Sequence, residues 1–592
     1  MSIVPMYVRM PAVKSLPIKK KIFYLTAISF LLVLSRSAPG HARRLSKVAV
    51  QGDSRSADVI FWHGNIYTGL TGKKSRVQAI AIRRGRIQAA GSNEEIQKFR
   101  SRGTQVVDLG GNFVMPGFND AHTHLAEGGI EQLNVNLVGS KSLLDMVARI
   151  KEKARTAPPG EWISGGGWDH TLWENQTLPS RADLDAVTGD HPAVFVRVDG
   201  HISVANSAAL KAGGIAETPG QFNAQADVMG GKIDRDEQGK PTGILRESAR
   251  NAVEGKIPAP SAAQRRRALE LAIANAAAWG ITSAQDNSSW DDFLVYEQME
   301  KEGHLTLRIT EWLPFSAPVE LLKKNRAAHS AKDLLVHTGM LKGFMDGSLG
   351  SRTAALQQPY SDDPGNKGLP QYKQDELNKM TAERVAEGFQ IGFHAIGDAA
   401  AEMALQAYDH ALAQNHGSAN NKRFRIEHAQ VIDPGQFQRF HELGVIASMQ
   451  PNHLLTDMNW AEARIGRERA ATSYAWKKFL DSGVTLAFGT DYPVEPITPF
   501  RGIYAAVTRK NESGSAVYHP EQKLSIEEAI AAYTTGSAYA EFAEKEKGTL
   551  APGMLADLVV LDRDITRAPS QNILLTRVLR TVMGGKTVYM GK

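Results

Sequence analysis

Short apolar runs punctuated by glycine-rich turns open the pattern at residue 57 and return at the far end of the chain. Residues 57–61, 79–82, 86–90 and 105–109 read as strands, as do 556–561 and 586–589, which follow a helical stretch at 526–542. Neither end alone carries enough strand to bury a sheet face. The two are therefore expected to combine into one small composite β-sandwich domain, built from residues 43–115 and 546–592.

Between these ends the period changes to strand, then amphipathic helix, repeatedly. Eight apolar strand candidates stand at 113–119, 280–284, 305–312, 340–345, 389–394, 424–428, 445–449 and 484–488. Helical segments rich in Ala, Glu and Arg, such as 262–279 and 374–387, separate most of them. Strands alternating with helices imply a parallel sheet, and eight such units imply an α/β fold of the closed (β/α)8, TIM-like kind over residues 116–545. The gap after the first strand is far longer than one helix. It predicts an inserted subdomain at about 126–262, with a strand of its own at 193–198.

Composition alters this picture in one place. The 592 residues carry 69 Lys and Arg against 63 Asp and Glu, a formal charge of +6. Residues 1–42 hold six of the bases (Arg9, Lys14, Lys19, Lys20, Lys21 and Arg36) and no acid; 69 less 6 leaves 63, so the remainder is neutral. No basic surface remains to recruit nucleic acid. The leader itself runs from Lys19–Lys21 through an apolar stretch to small residues at Gly40 and Ala42, the pattern of a secretory signal cleaved after Ala42. The apolar stretch falls short of the roughly 20 residues of a spanning helix. Export to a periplasm or to the medium is expected, with a retained signal anchor as the alternative. The complete lack of cysteine excludes disulfides and thiol chemistry.

Chemistry concentrates at strand ends. In Pro116-Gly117-Phe118-Asn119-Asp120-Ala121-His122-Thr123-His124, side-chain alternation places His122 and His124 on one face, a chelating pair for a divalent metal. Lys342, His394, His428 and Asp491 fall at the carboxyl ends of the fourth, fifth, sixth and eighth strand candidates. Individually, a buried histidine is a hydrogen-bonded core residue and a strand-end Asp is a helix cap. Together, unpaired polar groups on successive apolar strands would cost about 2–7 kcal/mol each in desolvation, which favours a shared ion. No Gly-x-Ser-x-Gly elbow and no phosphate loop is present.

This ordered set resembles the amidohydrolase superfamily. The words Asp346-Gly347-Ser348-Leu349-Gly350-Ser351-Arg352-Thr353, His394–Asp398, Ile426–Ala429 and Gly489–Pro493 are similar to its YtcJ-like, family 3 branch. So are Gly167-Trp168-Asp169, Asp199-Gly200-His201 and Gly548–Asp557. The resemblance implies that His122, His124 and Asp491 ligate one divalent metal, zinc by preference. It further implies that Lys342, carboxylated by CO₂, bridges to a second metal, with His394 and His428 binding that metal or the substrate. A lysine that stays unmodified leaves a single-metal site, because an ammonium beside zinc is repelled. The implied activity is hydrolysis of a non-peptide carbon–nitrogen bond in a small amide or formamide, with Asp491 as general base then acid and His428 or His394 at the developing oxyanion. Lactone, ester or cyclic imide hydrolysis, and a catalytically silent metal-binding regulator, are the alternatives. Trp168, Trp173, His201, Asp346 and Arg352 are candidate substrate contacts, with core packing and a structural salt bridge as the competing roles. A homodimer is a further expectation.

The leader makes a first prediction: protein recovered from an exporting bacterial host begins at Arg43, read by N-terminal sequencing. An intact leader on membrane-bound protein would instead establish the anchor.

Overall fold

The computed structural model describes residues 56–198, 200–215, 231–329, 333–415 and 422–591; the leader at 1–42 lies outside them. Eight parallel strands form one sheet in chain order: β1 Phe118–Thr123, β2 Ile281–Asp286, β3 Arg308–Pro314, β4 Val336–Phe344, β5 Ile391–Ala395, β6 Arg425–His428, β7 Ile446–Met449 and β8 Leu486–Phe488. Seven of them coincide with apolar runs, because a strand covered by helices outside and packed inside is apolar for most of its length, and β1 takes up only the last two residues of the first run. Helices such as Ala262–Ala278 and Gln374–Ala386 bury Leu269, Ile273, Leu377 and Val385 against the outer face.

The barrel is drawn shut between β8 and β1. The Asp491 N–H donates to the His122 carbonyl at 2.8 Å, and Thr123 bridges to Tyr492. Gly489 makes this approach feasible, since a Cβ there would lie 2.5 Å from the His122 nitrogen.

One strand candidate divides. The run at 113–119 breaks at Gly117: Phe113–Pro116 leaves to pair antiparallel with Leu558–Leu561, while Phe118 onward opens the barrel. The small domain is composite. A six-stranded sheet joins Asn65–Tyr67, Arg76–Val77 and Phe113–Pro116 to Leu558–Leu561, Val578–Met583 and Lys586–Met590, and a four-stranded sheet comes from the N-terminal part alone. Alternation sets the facing: Phe61 packs between the sheets with Ile80, Val114, Leu558 and Val560, while its neighbour Ile60 packs outward with Ala79, Ala81 and Ile96.

The insert leaves through the helix Leu125–Leu133 and contains a six-stranded sheet ordered Gly231–Arg235, Pro241–Glu247, Ile202–Ala205, Ala193–Arg197, Ile163–Trp168 and Val135–Asn136. It re-enters through Ala262–Ala278, whose first turn is closed by a Ser261/Gln264 capping box.

A buried ion pair ties barrel to small domain. Arg308, at the start of β3, grips Asp557 through Nε at 2.6 Å and Nη2 at 2.9 Å, and Asp557 also accepts the Gly584 N–H at 2.7 Å. Removing one partner strands a buried guanidinium. Asp557→Ala is therefore expected to lower unfolding free energy by about 3–5 kcal/mol in urea titration, with metal content unchanged.

Candidate metal centre

His122 reaches the barrel interior through a bulge. The pairing of β1 with β2 shifts register between Ala284/Asp286, so that Ala121 packs inward with Ile446 and Ala487 and yet His122, its neighbour, also faces inward. Such bulges re-aim side chains beside active sites. Thr123 then turns outward, bonding Asp286, and His124 returns to the cavity.

Underneath lies a charged network where most barrels hold aliphatic layers. Arg425 and Glu427 alternate inward on β6; Arg425 Nε donates to Glu427 Oε1 at 2.7 Å and Nη2 to Ser448 Oγ at 2.8 Å. Glu427 Oε2 accepts from His122 Nδ1 at 2.8 Å. With its proton held on Nδ1, His122 presents Nε2 as a bare lone pair toward the cavity, the tautomer a metal requires. Burial pushes the Glu427 carboxyl up, but Arg425 and His122 reverse this and hold it down at about 2. Burial, then the Lys342 charge, lowers His122 to about 4.

His428 follows Glu427 directly, and strict alternation would point it at the outer helices. A left-handed backbone, φ +73°, turns it inward instead, its ring centroid 5.0 Å from His122 and 4.5 Å from His394. Asp491 adopts the same region at φ +57°. Left-handed backbone at non-glycine residues costs about 1–3 kcal/mol and clusters at functional sites.

Asp491 is the hub. Its Oδ1 lies 3.5 Å from His122 Nε2 and 3.3 Å from His124 Nε2. A tetrahedral ion with bonds of about 2.0–2.1 Å has donor–donor edges of roughly 3.3–3.4 Å, so both carboxylate–imidazole edges are near zinc-like values, and the three donor atoms all lie within 4.8 Å of one another. The other oxygen, Oδ2, lies 3.0 Å from His453 Nε2 and 3.9 Å from His428 Nδ1. That His428 nitrogen is buried and has no hydrogen-bond partner, a donor set incomplete without a ligand. Lys342 Nζ sits 3.3 Å from His122 Nε2, between the Trp312 ring at 5.2 Å and the Phe344 ring at 5.1 Å. Burial there pulls the ammonium down to about 8. His394 donates Nε2–H to the Gly347 carbonyl at 3.0 Å, leaving Nδ1 as its donor atom. Burial pushes the Asp491 carboxyl up, and the imidazoles, His122 foremost, drive it well below its ordinary range. For His453 burial works downward, but the Asp491 hydrogen bond and charge raise it to about 9.

The structure thus brings together His122, His124, Lys342, His394, His428 and Asp491. The five other candidates have different surroundings. Asp346 uses its carboxylate on the N–H groups of Ala355, Ile396 and Gly397, stapling the loops after β4 and β5 beside His394. Trp168 is fully buried in the insert's core, donating to the Phe195 carbonyl and packing near Trp173. Trp173 donates to Ser140. His201 is half exposed and pairs with Glu247 at 3.0 Å. Arg352 forms a fork with Asp362, also held by Arg464, which orders the loop after β4. Asp346 is also 3.5 Å from His394 Nε2, which ties it to the cluster.

Two residues escaped sequence reading. Glu427 stood inside a quoted motif; its signal was a pair of charges, Arg425 and Glu427, alternating in an otherwise apolar strand. His453 stands four residues past β7 with no His-x-His partner, and only folding places it against Asp491.

The chain matches the model described as the amidohydrolase family over residues 105–589. It is 34% identical to Protein LONG AFTER FAR-RED 3 of Arabidopsis thaliana, covering 90% of this chain and 92% of that one. It is 32% identical to YtcJ, an amidohydrolase by its name, of Bacillus subtilis (strain 168), over 89% of this chain and 99% of the relative. N-substituted formamide deformylase of Arthrobacter pascens is 27% identical over 90% and 98% respectively. Among solved structures, a metal-dependent hydrolase from Pyrococcus furiosus superposes with a TM-score of 0.70 at 31% identity, covering 86% of this chain and 100% of that one.

Because Glu427 fixes the tautomer and orientation of His122, Glu427→Gln is expected to weaken divalent-metal affinity about 10–100-fold, read by chelator competition. Unchanged affinity would remove Glu427 from any part in the centre.

Proposed function

The chain belongs to the amidohydrolase family, in its YtcJ-like branch, and is a metal-dependent hydrolase; from that premise we propose that it cleaves a non-peptide carbon–nitrogen bond in a small amide of the formamide or N-acyl kind. His122, His124 and Asp491 would hold one divalent ion, zinc by donor type, and Lys342 as a carbamate, with His394 and His428, a second. An ion held there would supply acidified water, with a pKa of about 7, and polarisation of a carbonyl oxygen.

The remaining work falls to the chain's own groups. Asp491 accepts the proton released as water adds to the carbonyl carbon and returns it to the departing nitrogen as the C–N bond breaks, general base then general acid. His428, or His394 beside it, faces the oxygen that gains charge. Lys342, lowered to about 8 by burial, keeps an appreciable fraction of neutral amine near neutral pH, the form that attacks CO₂. From that neutral amine one N–C bond forms as one C–O π bond of CO₂ opens and an N–H proton leaves; counted from the ammonium, two protons are released and a cation becomes an anionic ligand.

The observation that carries this reading is the approach of Asp491 Oδ1 to both His122 Nε2 and His124 Nε2 at ligand-edge distances. The left-handed backbone at both His428 and Asp491 turns their side chains toward the same cavity, in keeping with a built site. The formamide and N-acyl assignment draws on the named activity of the Arthrobacter relative. Export of the mature enzyme and assembly as a homodimer complete the proposal.

Two outcomes are expected from mature protein assayed with zinc against N-formyl, N-acyl-amino-acid and cyclic-amide panels. Wild type hydrolyses a member of the first two and loses activity to a chelator. Asp491→Asn lowers kcat by on the order of 10³ while metal analysis still finds ion bound. Normal turnover in that variant would exclude Asp491 as the proton carrier.

A further inference from the structure

We infer that His453 is a positioning residue that splits the two oxygens of Asp491 into separate roles, an inference that rests on the metal-hydrolase reading above. The distances already divide the carboxylate. Oδ1 is shared between His122 and His124, at 3.5 and 3.3 Å, whereas Oδ2 accepts the His453 Nε2–H at 3.0 Å. A carboxylate free to turn about Cβ–Cγ would present either oxygen, or both, to an ion. One strong bond to Oδ2 fixes the plane, holds the ligand monodentate through Oδ1, and leaves one lone pair of Oδ2 at a fixed point for the incoming proton. The charged imidazole and the neutral Nε2–H tautomer both donate from Nε2, and the carboxylate oxygen 3.0 Å away can only accept, so the role follows from geometry.

His453 is itself firmly placed. It opens the short helix His453–Asp457 just after β7. Its neighbour Asn452 donates to the Thr490 carbonyl at 2.9 Å, next to Asp491. Thr490 in turn gives its N–H and hydroxyl to Asp120 of β1, at 2.8 and 2.6 Å. Asp491 is pinned by its N–H on the His122 carbonyl. Donor and acceptor therefore sit on three strand ends locked together by four further bonds, and neither has freedom to leave the other. Behind His453, Asp457 is held by the Tyr474 hydroxyl at 2.5 Å and Glu495 by Thr456 at 2.7 Å.

The test compares wild type with His453→Gln, whose amide N–H reaches the Nε2 position, and with His453→Leu and His453→Asn, which lack or fall short of it. Each is analysed for metal per chain, for metal affinity by chelator competition, and for kcat and KM. The Gln variant is expected to retain kcat within about tenfold and the wild-type affinity. Leu and Asn are expected to lose about 100-fold in kcat with KM little changed, and about tenfold in affinity, at unchanged stoichiometry. Asn serves if Leu fails to fold. Wild-type kcat in Leu or Asn, a Gln variant no better than Leu, or the loss of one metal equivalent would overturn the inference, the last by making His453 a ligand. Wild-type protein that binds no metal would instead overturn the hydrolase reading itself.

Discussion

One buried negative charge organises the top of this barrel. Asp491 is 5% exposed and sits among His122, His124, His428 and His453, all of which bring nitrogen within 4 Å of its oxygens. A carboxylate removed from water costs several kcal/mol unless paired and hydrogen-bonded. Every neighbouring imidazole reduces that cost, and the four come from three separate stretches of chain: the end of β1 for His122 and His124, the end of β6 for His428, and the segment after β7 for His453. The same residue closes the β8–β1 seam through its backbone N–H, so closing the barrel and building the site are one event. Stability and chemistry are coupled there.

The charge cluster is deep because a second layer supports it. Arg425 answers Glu427, Glu427 fixes the His122 proton, and Ser448, Gln285 and the Ala121 carbonyl satisfy the guanidinium. An unsatisfied member of such a network would be more damaging than an apolar residue in its place. The network also explains why the inner face of β6 departs from the aliphatic filling usual in barrels. It gives the chelating groups fixed orientation before any ion arrives.

The insert departs after β1, and the small domain is tied to the start of β3 through Arg308 and Asp557. The aromatic residues of the insert, Trp168 and Trp173, close its own core. Arg352 and Asp346 brace the loops after β4 and β5. These braces set the height and tilt of His394, whose Nε2 leans on Gly347 at the base of that loop.

Local pattern was enough to read the architecture. Eight apolar runs separated by amphipathic helices became eight barrel strands, because burial on both faces selects apolar residues wherever the strand lies. Two half-sufficient sets of strands at the chain ends became one domain, because neither could bury a face alone. His122, His124, Lys342, His394, His428 and Asp491 were visible as polar residues at the ends of apolar strands, and the fold brings them together. Tertiary structure decided the rest. The division at Gly117, the bulge before His122 and the left-handed turn at His428 depend on register between strands, which alternation within one strand does not encode. His453 and Glu427 act through partners 38 and 305 residues away, and no local periodicity reports a contact at that separation. Periodicity reveals which face is buried; the folded chain alone chooses what meets there.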